Sequence, residues 1–177
     1  VYLGWGQKAD AIFMIKFTVL SIATFVTLSP VGSTSGWQIP FDSTHRLVRQ
    51  YLQPASDYSA GHRGVDYEVE PDEVLFAPAD GIVSVARVIV NRGVVAVKHG
   101  SGLVSELEPA CSDLAVGAKV LKGEKIGWGC QPDANYTQHC QDDFCMHFSL
   151  RSEGKYLSPL ALIGGLNPSR LLPYALG

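Results

Sequence analysis

Short apolar segments rich in Val and Ile, separated by glycine-containing turns, constrain the fold of this chain more than any other feature. Residues 81–89 are followed by a turn at 91–93, and residues 94–98 by a turn at 100–102. β-branched residues favour strands, and turns of this kind join antiparallel strands. With 18 glycines and 10 prolines in 177 residues, the chain is predicted to be all-β: an antiparallel sheet or sandwich of hairpins with short helical turns.

Two further segments extend this prediction. Residues 65–69 alternate apolar and polar side chains, and residues 145–151 are expected to form the last strand. Residues 43–52, ahead of the strands, are interpreted as one short helix, and residues 156–162 as a final segment with a helical turn. The strands follow one another too closely for the helical crossovers that a parallel sheet needs.

The N-terminal segment resembles an export signal. Lys16 precedes an uncharged run at 17–28, and small residues follow at 31–36. The run is shorter than the ~20 apolar residues of a spanning helix, so cleavage is favoured over an uncleaved anchor formed by residues 14–30. The predicted organisation is an extension with a signal or anchor at 1–36, a domain at 37–165 and a tail at 166–177. The protein is expected to be secreted or attached to the cell envelope, touching a membrane only through the N-terminal segment.

Charge restricts the partners. The formal net charge is −3, and no basic stripe is present, which argues against nucleic acid as the main partner. The length suits one folded domain with a sizeable core, and a monomer is expected.

The four cysteines, Cys111, Cys130, Cys140 and Cys145, all lie in the second half of the chain. An even count in an exported protein favours disulfides, and four cysteines permit three pairings. We favour Cys111 with Cys130 and Cys140 with Cys145, since both loops are local. The sequence alone does not choose among the three.

Three side chains form a candidate metal site. His62 and Asp66 stand four residues apart, and Gly64 between them is expected to let the backbone turn. Far downstream, Cys145 and His147 share one face of the last strand because side chains alternate along a strand. Imidazole, carboxylate and thiolate are zinc ligands, and three protein ligands with an open fourth position are typical of a hydrolytic site.

Several motifs in order resemble the lysostaphin-type zinc endopeptidases that cut peptidoglycan cross-links. The similarity runs from about residue 61 to 163 and includes segments 62–67, 77–83, 116–127, 146–148 and 156–159. It implies the fold of that family, a Zn²⁺ ion bound by His62, Asp66 and His147, and peptides of peptidoglycan as the substrate.

Two positions depart from the family pattern. Where the family usually has histidines that act on the attacking water and the transition state, this chain has Glu108 and Cys145, as a variant branch with Cys-x-His also does. Glu108 is either a general base or a solvated surface residue. Glu108 and Cys145 are the candidate catalytic residues. Three interpretations of Cys145 are open: a disulfide partner, a fourth zinc ligand or a small buried residue. His139 is more plausibly an exposed loop residue than a ligand, and His99 a structural one.

Three functions remain open. The departures also fit a catalytically inactive relative that binds cell-wall peptides or regulates another wall hydrolase. Segments 77–81 and 116–127 resemble half-barrels of lipoyl and biotinyl carriers as well, but the 91–93 turn offers no lysine for modification. We therefore favour the exported zinc endopeptidase.

Overall fold

The described part of the chain forms two antiparallel sheets. The computed structural model describes residues 1, 36–42, 44–100, 102–136, 140 and 144–164. Within them lie eleven strands and one helix. They are β1 (Leu47–Arg49), β2 (Gly64–Glu68), β3 (Val74–Phe76), β4 (Gly81–Ile89), β5 (Arg92–His99), β6 (Leu103–Glu108), β7 (Ala110–Cys111), β8 (Lys119–Val120), β9 (Lys125–Gly129), β10 (Cys145–Ser152), β11 (Lys155–Leu157) and α1 (Leu160–Ile163).

The larger sheet has the order β1-β2-β10-β6-β5-β4-β8, with β11 paired to β10. The smaller sheet has the order β3-β9-β7. Strand β10 is late in the chain but lies between β2 and β6, and it is antiparallel to both. This placement brings the two halves of the sequence together at one strand.

Side chains that alternate along β10 give the larger sheet one apolar face and one polar face. Met146 and Phe148 of β10 are fully buried and belong to the main core cluster. The same cluster includes Leu75 and Ile126 from the smaller sheet, so the core joins the two sheets. His147, between the two apolar residues of β10, points to the other face, as the two-residue period of a strand requires.

The structure confirms the all-β antiparallel prediction, including the 81–89 strand with the same bounds. The short helix predicted over residues 43–52 is wrong. Leu47–Arg49 instead pairs with β2, because the edge of that strand offers hydrogen bonds that an isolated turn of helix would lack. The prediction for residues 156–162 is partly met by the single turn of α1, whose bounds are Leu160–Ile163.

Both favoured disulfides are present. Cys111 of β7 is bonded to Cys130, which follows β9, and Cys140 is bonded to Cys145 at the start of β10. The Cα atoms of the pairs are 5.6 Å and 5.9 Å apart, within the ordinary range for disulfides. The local interpretation of the cysteine pattern is therefore confirmed.

Some predictions lie outside the described residues. These are the signal or anchor at 14–30, the tail at 166–177 and the role of His139. Apart from Val1, the described residues all fall in one compact unit, Ser35–Gly177. Among the residues that the structure describes, no helix combines the length and apolarity needed to cross a membrane.

Removing the two disulfides should cost different amounts of stability. The loops they close separate cysteines by 19 and 5 residues, and in the chain-entropy model these loops correspond to about 3 and about 2 kcal/mol. We expect the Cys111→Ser/Cys130→Ser variant to lose more unfolding free energy than Cys140→Ser/Cys145→Ser. Denaturant unfolding of both double variants measures the difference, and the reverse order would contradict the loop-length argument.

Candidate metal centre

His62, Asp66 and His147 come together on the polar face of the larger sheet. One possible ligand atom from each residue lies within 4.8 Å of the other two, and all three residues are buried. Asp66 of β2 is directly opposite His147 of β10 in the strand register. The structure thus brings together the three side chains that the sequence pattern singled out, in a set able to hold a metal ion.

The residues around β1 orient His62. Backbone hydrogen bonds of 2.9 Å run in both directions between Leu52 and His62. His62 Nδ1 lies 2.8 Å from the carbonyl oxygen of Gln50. A carbonyl only accepts, so Nδ1 carries a proton and donates it. The other ring nitrogen, Nε2, faces Asp66 Oδ1 at 3.1 Å.

The third donor, His147 Nδ1, is 2.6 Å from Asp66 Oδ1, so two imidazole nitrogens converge on one fully buried carboxylate. The nitrogen and carboxylate oxygen atoms face one another, and a cation among the three groups would be in contact with all of them. A second hydrogen bond that fixes the tautomer of a ligating histidine is a usual feature of metal sites. The donor set therefore fits a divalent metal that accepts nitrogen and oxygen ligands.

Gly64 has a different role from the one predicted. It is the first residue of β2, and it is not among the glycines with positive φ. A Cβ atom there would lie 2.6 Å from the imidazole atoms of His147 and 2.5 Å from the Phe148 carbonyl oxygen. Gly64 is therefore needed for the close approach of the His147 ring to the backbone of β2, and the expected turn is absent.

Glu108 lies next to the candidate metal-binding group of His62, Asp66 and His147 and is buried. As the last residue of β6, it faces His147 across the strand pair. Its Oε2 accepts a 2.8 Å hydrogen bond from Arg92 Nε. Its other oxygen, Oε1, accepts no hydrogen bond from the described residues. The interpretation of Glu108 as a solvated surface residue is thus wrong, because the side chain is enclosed between β5 and β10.

Cys145 is on the same face as His147 but is bonded to Cys140. A sulfur atom in a disulfide is neither a thiolate ligand nor a nucleophile. Of the three roles considered for Cys145, the structure has the disulfide, and the suggested direct catalytic or ligating role is unavailable while that bond is intact. His99 is buried, and its two ring nitrogens form hydrogen bonds with Ser105 Oγ at 2.8 Å and with the Asp80 carbonyl at 2.9 Å. These contacts are consistent with a structural role.

Two residues of the site were missed in the sequence. Arg92 was assigned to a hairpin turn, yet it begins β5 and pairs with Glu108. Tyr136 places its ring 5.6 Å from the Arg92 guanidinium carbon. The β5–β6 register, set by the turn at 100–102, would have placed Arg92 diagonal to Glu108. No sequence signal identified Tyr136.

Electrostatics tie these groups together. Burial alone would lower the pKa of Arg92, but the hydrogen bond and charge of Glu108 outweigh it and the pKa is raised. Burial, followed by the charge of Glu108, raises the pKa of Tyr136 to about 12. The charge of Asp66 acts on Tyr136 in the same direction. The phenol therefore stays protonated, and able to donate a hydrogen bond, at any physiological pH.

The role of Gly64 can be tested by adding one methyl group. We expect Gly64→Ala to displace the His147 ring and to weaken metal binding by about 10-fold or more, the usual effect of disturbing a ligand's support. Gly100→Ala is the matched control, because a Cβ at Gly100 meets nothing within 4 Å. Titration of the metal-free proteins with Zn²⁺ measures both affinities. Equal affinities for the two variants would contradict the proposed packing requirement.

Comparison with known proteins places this site in a family. Residues 60–159 match the sequence profile of peptidase family M23. The uncharacterized protein Rv2891 of Mycobacterium tuberculosis is 31% identical over 147 residues, which cover 80% of this chain and 55% of that protein. The chain thus spans about half the length of this curated relative.

Solved structures show the same fold. The chain is similar to the SpoIIQ–SpoIIIAH pore-forming complex, with a TM-score of 0.60, 19% identity and coverage of 72% of this chain and 90% of that one. It is also similar to the catalytic domain of the antimicrobial peptidase lysostaphin from Staphylococcus simulans, with a TM-score of 0.53, 16% identity and coverage of 66% and 90%. With more than half of its residues matched by the family profile, the chain belongs to peptidase family M23.

Proposed function

We propose that the protein is an exported zinc-dependent endopeptidase that cleaves peptide cross-links or stem peptides of peptidoglycan. The convergence of His62, Asp66 and His147 on a buried polar patch carries this proposal, and membership of peptidase family M23 supports it. Two imidazoles and a carboxylate are a known ligand set of catalytic zinc, with the fourth position open.

The ligand atoms follow from the hydrogen bonds. His62 uses Nε2, since the Gln50 carbonyl engages its Nδ1, and His147 uses Nδ1, which faces Asp66. Asp66 contributes its carboxylate. When bound, zinc would act as a Lewis acid that polarises a peptide carbonyl and lowers the pKa of a water molecule, so that the water loses a proton and becomes a nucleophile near neutral pH.

Glu108 is the candidate general base. Arg92 binds its Oε2, which holds the carboxylate beside His147 and leaves Oε1 to receive a proton. In this role Glu108 takes a proton from the attacking water and returns it to the departing amine, so that one carboxylate serves both halves of the hydrolysis. This part of the proposal replaces one histidine of the usual family pattern by a carboxylate.

The setting of the enzyme is also part of the proposal. We place the peptidase domain at residues 37–165 of a monomer that acts outside the cell or at the cell envelope, with residues 14–30 as a signal or anchor. Two disulfides in the described residues support an oxidising compartment. Peptidoglycan peptides are the proposed partners, and nucleic acid is not among them.

A non-catalytic function is the alternative. Glu108 and Cys145 occupy positions where the family usually has histidines, and the sulfur of Cys145 is in a disulfide. One structure with the same fold is that of a pore-forming complex of two proteins. In this alternative the protein keeps the fold, with or without the metal, while it binds wall peptides or regulates another hydrolase.

Metal binding is tested by removing one ligand. The full-length, oxidised protein should bind one Zn²⁺, whereas His147→Ala should lose stoichiometric zinc and all release of peptides from purified peptidoglycan. His45→Ala is a suitable control, because His45 contacts Glu73 at 3.1 Å and is not among the candidate ligands. Metal analysis and the wall-hydrolysis assay read the two properties separately. Full activity of His147→Ala would exclude the zinc mechanism, and zinc without activity in the unmodified protein would favour the non-catalytic alternative.

The base is tested by an isosteric change. Glu108→Gln should lower kcat by about 100-fold or more, as expected for loss of a general base, with unchanged zinc content. Glu106→Gln is a close control, because Glu106 lies on the same face of β6 and pairs with Arg151 at 2.9 Å. Its kcat should stay near that of the unmodified protein. Equal kcat values for the two variants would remove Glu108 from the mechanism.

A further inference from the structure

Tyr136 stands at the end of a series of contacts that begins at the metal-binding group. Glu108 faces His147 in the strand register, Arg92 binds Glu108 at 2.8 Å, and the ring of Tyr136 lies 5.6 Å from the Arg92 guanidinium carbon. The carboxylates of both Glu108 and Asp66 act electrostatically on the Tyr136 hydroxyl. The ring of Tyr136 is therefore connected to the His62, Asp66 and His147 group through Arg92 and Glu108, although it comes from a different part of the chain.

The backbone holds Tyr136 in this place. Its N–H donates to the Asp133 carbonyl at 2.9 Å, and the Asp133 N–H donates to the Asn91 carbonyl at 2.9 Å. The Asn91 side chain donates to the Asn135 carbonyl at 3.3 Å. The turn that ends at Tyr136 is thus attached to the β4–β5 hairpin, the same hairpin that supplies Arg92. Arg92 and the ring of Tyr136 that lies against it are thus positioned by one structural unit.

Peptide hydrolysis gains from a hydrogen-bond donor that acts on the carbonyl oxygen together with zinc. Negative charge develops on the carbonyl oxygen as water attacks, and donors placed in advance stabilise it. His62 and His147 are used as ligands in the proposed function, Glu108 is an acceptor, and the Cys145 sulfur is in a disulfide. The Tyr136 hydroxyl, whose ring lies against Arg92, is a neutral donor that forms no ion pair with the carboxylates of the site.

We propose that Tyr136 is a further catalytic residue, whose hydroxyl donates a hydrogen bond to the oxyanion of the tetrahedral transition state. Arg92 is a positioning residue that holds Glu108 on one side and supports the ring of Tyr136 on the other. This inference rests on the proposed peptidase function and adds the residue that stabilises its transition state.

The test compares a tetrahedral anionic ligand with an ordinary peptide. A phosphinate peptide resembles the transition state, and a peptide substrate resembles the ground state. For the zinc-loaded, full-length Tyr136→Phe variant, we expect about 100-fold weaker phosphinate binding and about 100-fold lower kcat, the scale seen when one oxyanion donor is removed. KM and zinc content should be unchanged. Calorimetry with the phosphinate provides a readout that is independent of turnover.

Tyr156→Phe is the matched control. Tyr156 also lies beneath an arginine, with the Arg151 guanidinium carbon 5.8 Å from its ring centre. Removal of the Tyr156 hydroxyl should leave phosphinate affinity and kcat near the values of the unmodified protein.

The outcomes separate this inference from the proposed function. If the unmodified protein binds zinc and phosphinate and hydrolyses peptidoglycan, but Tyr136→Phe behaves identically, the role of Tyr136 is excluded and the peptidase function stands. Loss of zinc in Tyr136→Phe would show a structural role and also overturn the inference. An unmodified protein that binds neither zinc nor phosphinate would overturn both.

Discussion

The site depends on the insertion of β10 between β2 and β6. Antiparallel pairing on both sides places His147 opposite Asp66 on one neighbour and opposite Glu108 on the other. A slip of one residue in either register would turn His147 into the core and move Met146 or Phe148 to the polar face. Because both residues are fully buried in the core, the hydrophobic core fixes the position of His147, a candidate metal ligand.

Disulfide bonding and strand pairing act together at the start of β10. Cys145 opposes Glu68 of β2, two positions from the pair formed by His147 and Asp66. Its bond to Cys140 ties that residue to the strand that carries His147. Because the Cys145 sulfur is in the disulfide, it offers no thiolate to a metal, and the candidate donors are nitrogen and oxygen atoms alone.

The sequence predicted the parts of this arrangement that follow from local periodicity. Alternation along 145–151 placed His147 on one face and Met146 on the other, and the four-residue spacing of His62 and Asp66 identified the first two donors. Prediction from the sequence was wrong where contacts between distant residues determine the local structure. Residues 43–52 have no local signal for a strand, and Leu47–Arg49 becomes one only because the edge of β2 is available. Gly64 was assigned to a turn from its local sequence. Its actual role depends on contact with His147, which is distant in sequence, so the sequence pattern could not show it.

Charge balance explains why the unusual carboxylate at Glu108 is tolerated. Asp66, Glu106 and Glu108 are all enclosed on one face of the sheet, and unpaired buried carboxylates would be costly. Arg151 binds Glu106 and Arg92 binds Glu108, so two of the three charges are neutralised by arginines. Burial still raises the pKa of Glu106, and the charge of Arg151 opposes that rise. The third carboxylate, Asp66, lies between two imidazoles, where a divalent cation would complete the compensation. The pattern of ion pairs thus leaves the negative charge of the face concentrated at the one place where the donors converge.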